Sequence, residues 1–498
     1  MTALTPTDEQ VDALDLFATG DSFAIQAGAG TGKTATARLM AESTQRLGRF
    51  CAFNKSVIND AAGTFPQNVA ASTVHSLAFR AVGKPFAGRL NGQRMRSDQI
   101  GRMLGVQALD VNVGGHGRKT LAAGFLGSLA MRAVAIYCQS IDPEPTARHV
   151  PYIDGIDLPD ALDNRTYDNN RIVADYLAPF LRRVWADLCD PNGQLPYSHA
   201  AYQKLWSLSE PRIDTDFILF DECQDADAVQ AEIVLRQKER GVQVVIIGDS
   251  AQAIYGWRGA VSAFERFNLE HTTWLSQSFR FGEAIAEQAN EILAMIPDTP
   301  LRLRGLDSIT STIEPVATPD TVLCRTNAVA VRTVLAAMDR GQHPHLVGGG
   351  SQVVAFAKGA RNLMSGRRAD HPELACFTDW DEVRSYTVND PSGDELRLMV
   401  RLVDEFGPDR IIDTLGTRMP SEANADLIAS TAHVAKGREW SSVQLAEDFT
   451  VGSGEKAPVP EELRLLYVAV TRAKHRLDIT RVPLLAEPSD DAKEPVAP

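Results

Sequence analysis

This 498-residue sequence predicts an α/β fold with two successive sheet units, on three observations. Short apolar runs alternate with helical patterns along most of the chain. A glycine-rich turn, AGAGTGKT, stands between the first apolar run and the first helical stretch. A second α/β pattern opens near Thr321-Val322-Leu323-Cys324.

The run Phe23-Ala24-Ile25 predicts the first buried strand, and the residues after Lys33 the first helix. Phe217 to Phe220 and Val244 to Ile247 predict further strands of the same sheet. Between His75 and Phe217 the character changes: RLNGQRMRSDQIGR is followed by helical stretches such as Gly124 to Gln139, which predicts an insertion into the first sheet. The second pattern pauses at Gly348 to Gly350 and resumes at Leu427-Ile428-Ala429, so a second insertion lies between. The closing AEPSDDAKEPVAP, rich in proline, acid and small residues, predicts a disordered tail.

An apolar content of 44% with mixed charge reads as soluble and globular, with several hydrophobic cores. No apolar run approaches the ~20 residues of a membrane span, and MTALTPTDEQ does not read as a leader, so a cytoplasmic location without membrane contact is expected. The six cysteines, Cys51, Cys138, Cys189, Cys223, Cys324 and Cys376, are scattered, which favours buried thiols over zinc or disulfides. A net charge of −14 is unusual for a nucleic-acid partner, yet net charge does not report on a local groove.

Ala27-Gly28-Ala29-Gly30-Thr31-Gly32-Lys33-Thr34 lies in the strand-to-helix context of a phosphate-binding loop. Its glycines let backbone N–H groups face phosphates, Lys33 neutralises the β/γ oxygens of ATP, and the Thr34 hydroxyl coordinates Mg2+. The strict pattern has glycine where Ala27 stands, so a chance glycine-rich turn competes with this reading. After the run FILF comes Asp221-Glu222-Cys223-Gln224-Asp225. Asp221 is expected in the magnesium shell, partly through water, and Glu222 as the base that orients and deprotonates the attacking water. Alone, an acidic turn after a strand is equally well structural. Gln252, in Gly248-Asp249-Ser250-Ala251-Gln252, is either a γ-phosphate sensor or a plain loop amide.

These segments, in this order, resemble the superfamily 1 helicases of the UvrD/Rep/PcrA group. AGAGTGKT resembles the group's first motif, in which alanine at position 27 is usual; DECQD stands for DEAQD, and GDSAQAIYGWRGA for the third motif. LSQSFRF resembles motif IV, TAHVAKGREW motif V and LRLLYVAVTRAK motif VI. FCAFNKSVINDAAGTFPQNVAASTVHSLAF resembles motifs Ia and Ib. The wording of AFNK, TVHSLA and AKGREW is most similar to the F-box DNA helicase branch, with no F-box expected ahead of the motor.

The resemblance implies two RecA-like P-loop NTPase lobes, each interrupted by a largely helical insertion. Lobe 1A is expected over 1–85 and 205–282, insertion 1B over 86–204, lobe 2A over 283–350 and 425–485, a short insertion 2B over 351–424, and the tail over 486–498. It implies adenine reading by Gln10 and arginine fingers at Arg280 and Arg472, which fits the need for cations where charge develops on the γ-phosphate. Phe279 is expected to stack on adenine, Glu439 to accept from the ribose hydroxyl, and Gly437 to permit close backbone approach.

Sequence-independent single-strand binders stack bases on aromatic rings. Tyr255 and Trp257, just after Gln252 in the polar AIYGWRGA, are expected to do so, with core packing as the competing reading; Phe53 is similar. Asn54, Lys55, Thr73, His75, Thr431, His433 and Arg258 are expected on DNA phosphates or bases, Arg258 alternatively bridging lobes. Arg89, Arg94, Arg96, Arg102, Arg118 and Lys119 form either a phosphate-facing or a merely solvated surface.

The expected function is an ATP-dependent translocase and helicase on single-stranded DNA and single/double-strand junctions, moving 3′ to 5′ as a monomer in repair, recombination or replication. ATP binding is expected to close the lobes and hydrolysis to reopen them. The alternative is a DNA-dependent ATPase that strips proteins from single strands with little strand separation. A kinase or GTPase has no use for the paired arginine motifs, and intact Lys33, Glu222, Arg280 and Arg472 disfavour a non-catalytic DNA-binding module.

Overall fold

The computed structural model describes residues 5–52, 57–58, 61, 63–90, 95–112, 118–153, 156–157, 168–254, 263–371, 373–374, 377, 379–389, 394–450 and 459–485. The chain is α/β and divides into two compact units, Met1–Gln26 with Lys33–Trp274, and Ala27–Gly32 with Leu275–Pro498.

The first unit is built on β1 (Phe23–Ala27), β2 (Gly48–Ala52), β3 (Val69–Thr73), β6 (Phe217–Asp221), β7 (Gln243–Gly248) and β8 (His271–Leu275) in the order β3-β2-β6-β7-β1-β8. The pairs β2/β3, β2/β6, β6/β7 and β1/β7 are parallel. Every residue of β6 and β7 is buried, as expected for central strands covered on both faces by helices. Three predicted strands are therefore β1, β6 and β7, and the predicted helix after the glycine-rich turn is Lys33–Glu42.

Between β3 and β6 the chain forms helices Ser97–Leu104, Ala123–Tyr137 and Asn169–Cys189 and an antiparallel hairpin of β4 (Leu109–Asn112) and β5 (Arg118–Leu121). Val173, Leu177, Leu181, Val184 and Leu188 recur at helical spacing in Asn169–Cys189 and are all buried. They pack with Leu126, Leu129 and Val134 in a core drawn from residues 100–201, separate from the core under the main sheet.

The second unit carries β9 (Thr312–Ile313), β10 (Thr321–Cys324), β11 (Pro344–Leu346), β12 (Leu427–Thr431), β13 (Trp440–Leu445) and β14 (Ala473–Asp478), ordered β11-β12-β10-β13-β14-β9 and parallel throughout. Helices Ser351–Met364, Trp380–Asn389, Asp394–Phe406 and Pro408–Asp413 fill the interval between β11 and β12. Their Val353, Phe356, Trp380, Val400 and Ile411 share one core with Val322, Leu335 and Ala429 of the sheet layer. This interval is thus packed onto its sheet through a common core, whereas the first unit's insertion has a core of its own. Among the described residues no helix is long and apolar enough to cross a membrane.

Candidate nucleotide site and nucleic-acid contacts

In parallel sheets ligands sit beyond the carboxyl ends of strands. The glycine-rich turn leaves the end of β1, the acidic pair the end of β6, and the Gly248–Gln252 turn the end of β7, three adjacent strands. In the first unit, Lys33 Nζ lies 3.5 Å from Glu222 Oε1, and Thr34 Oγ1 donates to Asp221 Oδ2 at 3.1 Å. Asp221 is buried; burial first, then the Glu222 charge, pushes its carboxyl well above the ordinary range against the pull of Lys33. A hydroxyl beside a buried carboxylate is an oxygen donor set suited to Mg2+, which needs only one or two protein ligands beside phosphate oxygens.

Glu222 sits at φ 53°, ψ 38°, a left-handed conformation that costs a non-glycine residue about 1 kcal/mol. Its N–H donates to Asp221 Oδ1 at 2.9 Å. Gln224 Nε2 donates to Glu222 Oε2, while Gln224 Oε1 accepts from Asp249 N at 3.1 Å. Asp249 Oδ2 in turn accepts from Gln252 Nε2 at 2.6 Å, and Oδ1 from Ala251 N at 3.0 Å. Gln224, Asp249 and Gln252 are all buried, so a dry hydrogen-bonded relay joins Glu222 to Gln252. Gly248 leaves room for it: a Cβ there would lie 2.3 Å from Gln224 Oε1.

Gln10 is buried at the first turn of helix Asp8–Thr19. Its Oε1 accepts from Thr7 N in a capping box, and its Nε2 donates to Thr36 Oγ1 at 3.0 Å, which fixes the orientation of the amide.

In the second unit, Gly30 and Gly32 of the turn have φ 76° and 78°. Thr31 Oγ1 donates to Gly28 O at 2.9 Å, Ala29 N donates to the Tyr467 hydroxyl at 3.1 Å, and Phe279 N donates to Gly30 O at 2.8 Å. Ala27 is buried at the end of β1. Phe279 is 39% exposed. Arg280 Nε donates to Glu439 Oε2 at 2.8 Å and Nη1 to Thr471 O at 3.0 Å, while Lys474 Nζ holds Glu439 Oε1 at 2.7 Å. Arg472 is 1% exposed: Nε donates to Val468 O at 2.8 Å, Nη1 to Arg438 O at 3.2 Å and Nη2 to Thr471 Oγ1 at 3.0 Å. Gly437 has φ 83° with nothing within 4 Å of a would-be Cβ.

Thr73 and Thr431 occupy the same local setting in their respective units. Each ends a strand and caps the following short helix, Thr73 Oγ1 accepting from Ser76 N at 3.0 Å and Thr431 Oγ1 from Val434 N at 3.4 Å. His75 and His433 follow two residues later. The sequence signal is the repeated Ala-Ser-Thr-X-His, at Ala71–His75 and Ala429–His433. Burial first, then His199, lowers the His75 pKa to about 4, so its ring is neutral at neutral pH. Phe53, Asn54, Lys55, Tyr255, Trp257 and Arg258, with the tail 486–498, lie outside the described residues.

Sequence reasoning passed over Gln224, Asp249, Tyr467 and Lys474. Gln224 sits inside the acidic motif but carries no charge. Tyr467 reads as one more apolar residue of LLYVAV, although a buried tyrosine hydroxyl needs a partner.

Residues 10–258, half of the chain, match the family described as AAA domain, and residues 426–480 match the UvrD-like helicase C-terminal domain. F-box DNA helicase protein 1 of Schizosaccharomyces pombe is 29% identical over 507 aligned positions, covering 92% of this chain and 55% of the relative. F-box DNA helicase 1 of Gallus gallus is 28% identical over 502 positions, covering 91% of this chain and 47% of the relative. ATP-dependent DNA helicase PcrA of Leuconostoc citreum is 34% identical over 83 positions, 16% of this chain and 11% of the relative. The chain spans about half the length of the two F-box relatives.

Proposed function

The chain belongs to the UvrD-like DNA helicases of superfamily 1, with the AAA domain in its first half, and on that premise we propose that it is an ATP-driven motor moving along single-stranded DNA. The observation that carries this is the relay from Glu222 through Gln224 and Asp249 to Gln252, because it runs from a hydrolytic carboxylate to the loop leading into Tyr255 and Trp257.

Lys33 and the amides of the Gly28–Gly32 turn hold the phosphates, and Thr34 with Asp221 would hold Mg2+, which would supply charge neutralisation to the phosphates. Glu222 orients the attacking water and accepts its proton. Arg280 and Arg472 stabilise the charge that develops on the transferred phosphoryl group. Gln10 reads adenine, Phe279 stacks on it, Gly437 allows close backbone approach and Glu439 accepts from the ribose. Gln252 senses the γ-phosphate and passes its presence to the DNA loop.

On the DNA side Thr73, His75, Thr431 and His433 hold the strand, together with Phe53, Asn54, Lys55, Tyr255, Trp257 and Arg258. Movement runs 3′ to 5′ by family resemblance, and the work lies in repair, recombination or replication, on single strands and their junctions with duplex, by a monomer. Stripping proteins from single strands with little unwinding is a second reading. It is favoured by the second unit's 351–413 helices, which share the sheet's core and leave little independent body to grip duplex. Protein-bound strands lacking duplex, compared with forked duplexes, separate the two.

Steady-state ATP hydrolysis with and without single-stranded DNA tests the proposal, with Glu222→Gln as the blank. Strong stimulation absent from the variant is expected; hydrolysis that is sensitive to Glu222→Gln but indifferent to DNA contradicts the coupling.

A further inference from the structure

Glu439 immediately precedes β13, and Lys474 is the second residue of β14. The parallel register pairs Trp440 with Ala473 and shifts just beyond, which leaves Glu439 one residue before the pair and Lys474 one residue after it, a gap that a long lysine side chain can cross. Lys474 Nζ accordingly donates to Glu439 Oε1 at 2.7 Å, while Arg280 Nε occupies Oε2 at 2.8 Å. Burial alone would raise the Glu439 carboxyl; the hydrogen bonds from Lys474 and Arg280 outweigh it and hold the group ionised.

The two cations are not equivalent. Arg280 also donates to Thr471 O and is the group asked to turn toward the γ-phosphate. A carboxylate held by Arg280 alone would lose its partner at that moment and regain its rotamer freedom. Lys474 has no such second task. Its ammonium keeps one oxygen of Glu439 fixed and leaves the other lone pairs available.

We propose that Lys474 is a specificity-determining positioning residue: it holds Glu439 where that carboxylate accepts a ribose hydroxyl of the nucleotide once Arg280 has moved to the phosphates. This rests on the reading of Glu439 as the ribose acceptor. Both side chains are partly exposed, at 38% and 42%, so the pair adds little to folding and its variants fold.

The test is kcat/KM for ATP, 2′-deoxy-ATP and 3′-deoxy-ATP at saturating single-stranded DNA, in the unaltered chain, Glu439→Gln, Lys474→Met and Lys474→Arg. The unaltered chain is expected to prefer ATP over one deoxy analogue by about tenfold, the size of one charge-assisted hydrogen bond. Lys474→Met loses most of that preference, chiefly through KM for ATP, and Lys474→Arg restores it; a purely structural role would lower all three substrates together. If Glu439→Gln abolishes the preference while Lys474→Met keeps it, the role of Lys474 is overturned and the ribose reading stands. If Glu439→Gln itself keeps the preference, the ribose reading falls and the proposal with it.

Discussion

Replacing Gln224 with alanine removes two hydrogen bonds and leaves buried groups behind. The Asp249 N–H loses its acceptor, and Glu222 Oε2 loses the amide that holds it. A buried N–H left without a partner costs about 1–3 kcal/mol, and a hydrogen bond to an ionised group contributes about 1.5–3 kcal/mol. Glu222 already stands in a left-handed conformation, so losing that bond frees it to leave the water-orienting position. If about 2 kcal/mol of this is expressed in the transition state, kcat falls roughly 30-fold with KM for ATP little changed. Gly248→Ala, whose Cβ would strike Gln224 Oε1, should reproduce the defect without touching either end of the relay. The assay is steady-state hydrolysis at saturating ATP with single-stranded DNA titrated from zero. A Gln224→Ala protein within twofold of the unaltered kcat at every DNA concentration refutes the relay as a route of coupling.

Gly30→Ala forces a Cβ onto φ 76° and to 2.7 Å from Ser278 Oγ and Arg280 Cβ; a fluorescent ATP analogue should bind at least about tenfold more weakly, and unchanged binding counts against the turn as phosphate cradle. Asp221 is a buried carboxyl whose folded pKa is raised, so its ionisation costs stability as pH climbs through the carboxylate range. Asp221→Asn should therefore raise the melting temperature, by about 2–4 °C per kcal/mol recovered, while hydrolysis falls about 100-fold; a lowered melting temperature contradicts this. For His75 the folded pKa of about 4 lies below the unfolded value of 6.5, so the unfolded chain takes the proton first and stability drops as pH falls from 6.5 toward 4. The loss approaches about 1.4 kcal/mol per pH unit, and urea unfolding between pH 7 and 5 should show it flattened in His75→Asn; an unaltered slope would place the titration elsewhere.

The sequence revealed the sheet centres and the charged residues at their ends, because those signals are local. Phe217–Phe220 is apolar on every residue and Val322–Cys324 continues the same pattern after Thr321, as suits short strands buried along their whole length. The hairpin was not legible: β5 reads Arg-Lys-Thr-Leu with three residues exposed, so no apolar alternation marks it. Periodicity says that Val353, Phe356 and Val400 are buried, but not that they share a core with Val322 and Ala429, which depends on which element lies opposite. In the candidate site, Lys33, Asp221 and Glu222 announce themselves by charge and spacing. Gln224 does not, since a neutral amide gains its meaning from the Asp249 N–H it meets across neighbouring strand ends. Lys474 becomes visible only through the register that lays β14 beside β13.

Displacement of streptavidin from biotinylated single-stranded oligonucleotides tests the central claim most directly. Release should require ATP, vanish in Lys33→Ala, and be faster from a biotin at the 5′ end, where a motor moving 3′ to 5′ arrives. Hydrolysis stimulated by DNA without release from either end would contradict a translocating motor, and faster release from the 3′ end would reverse its direction.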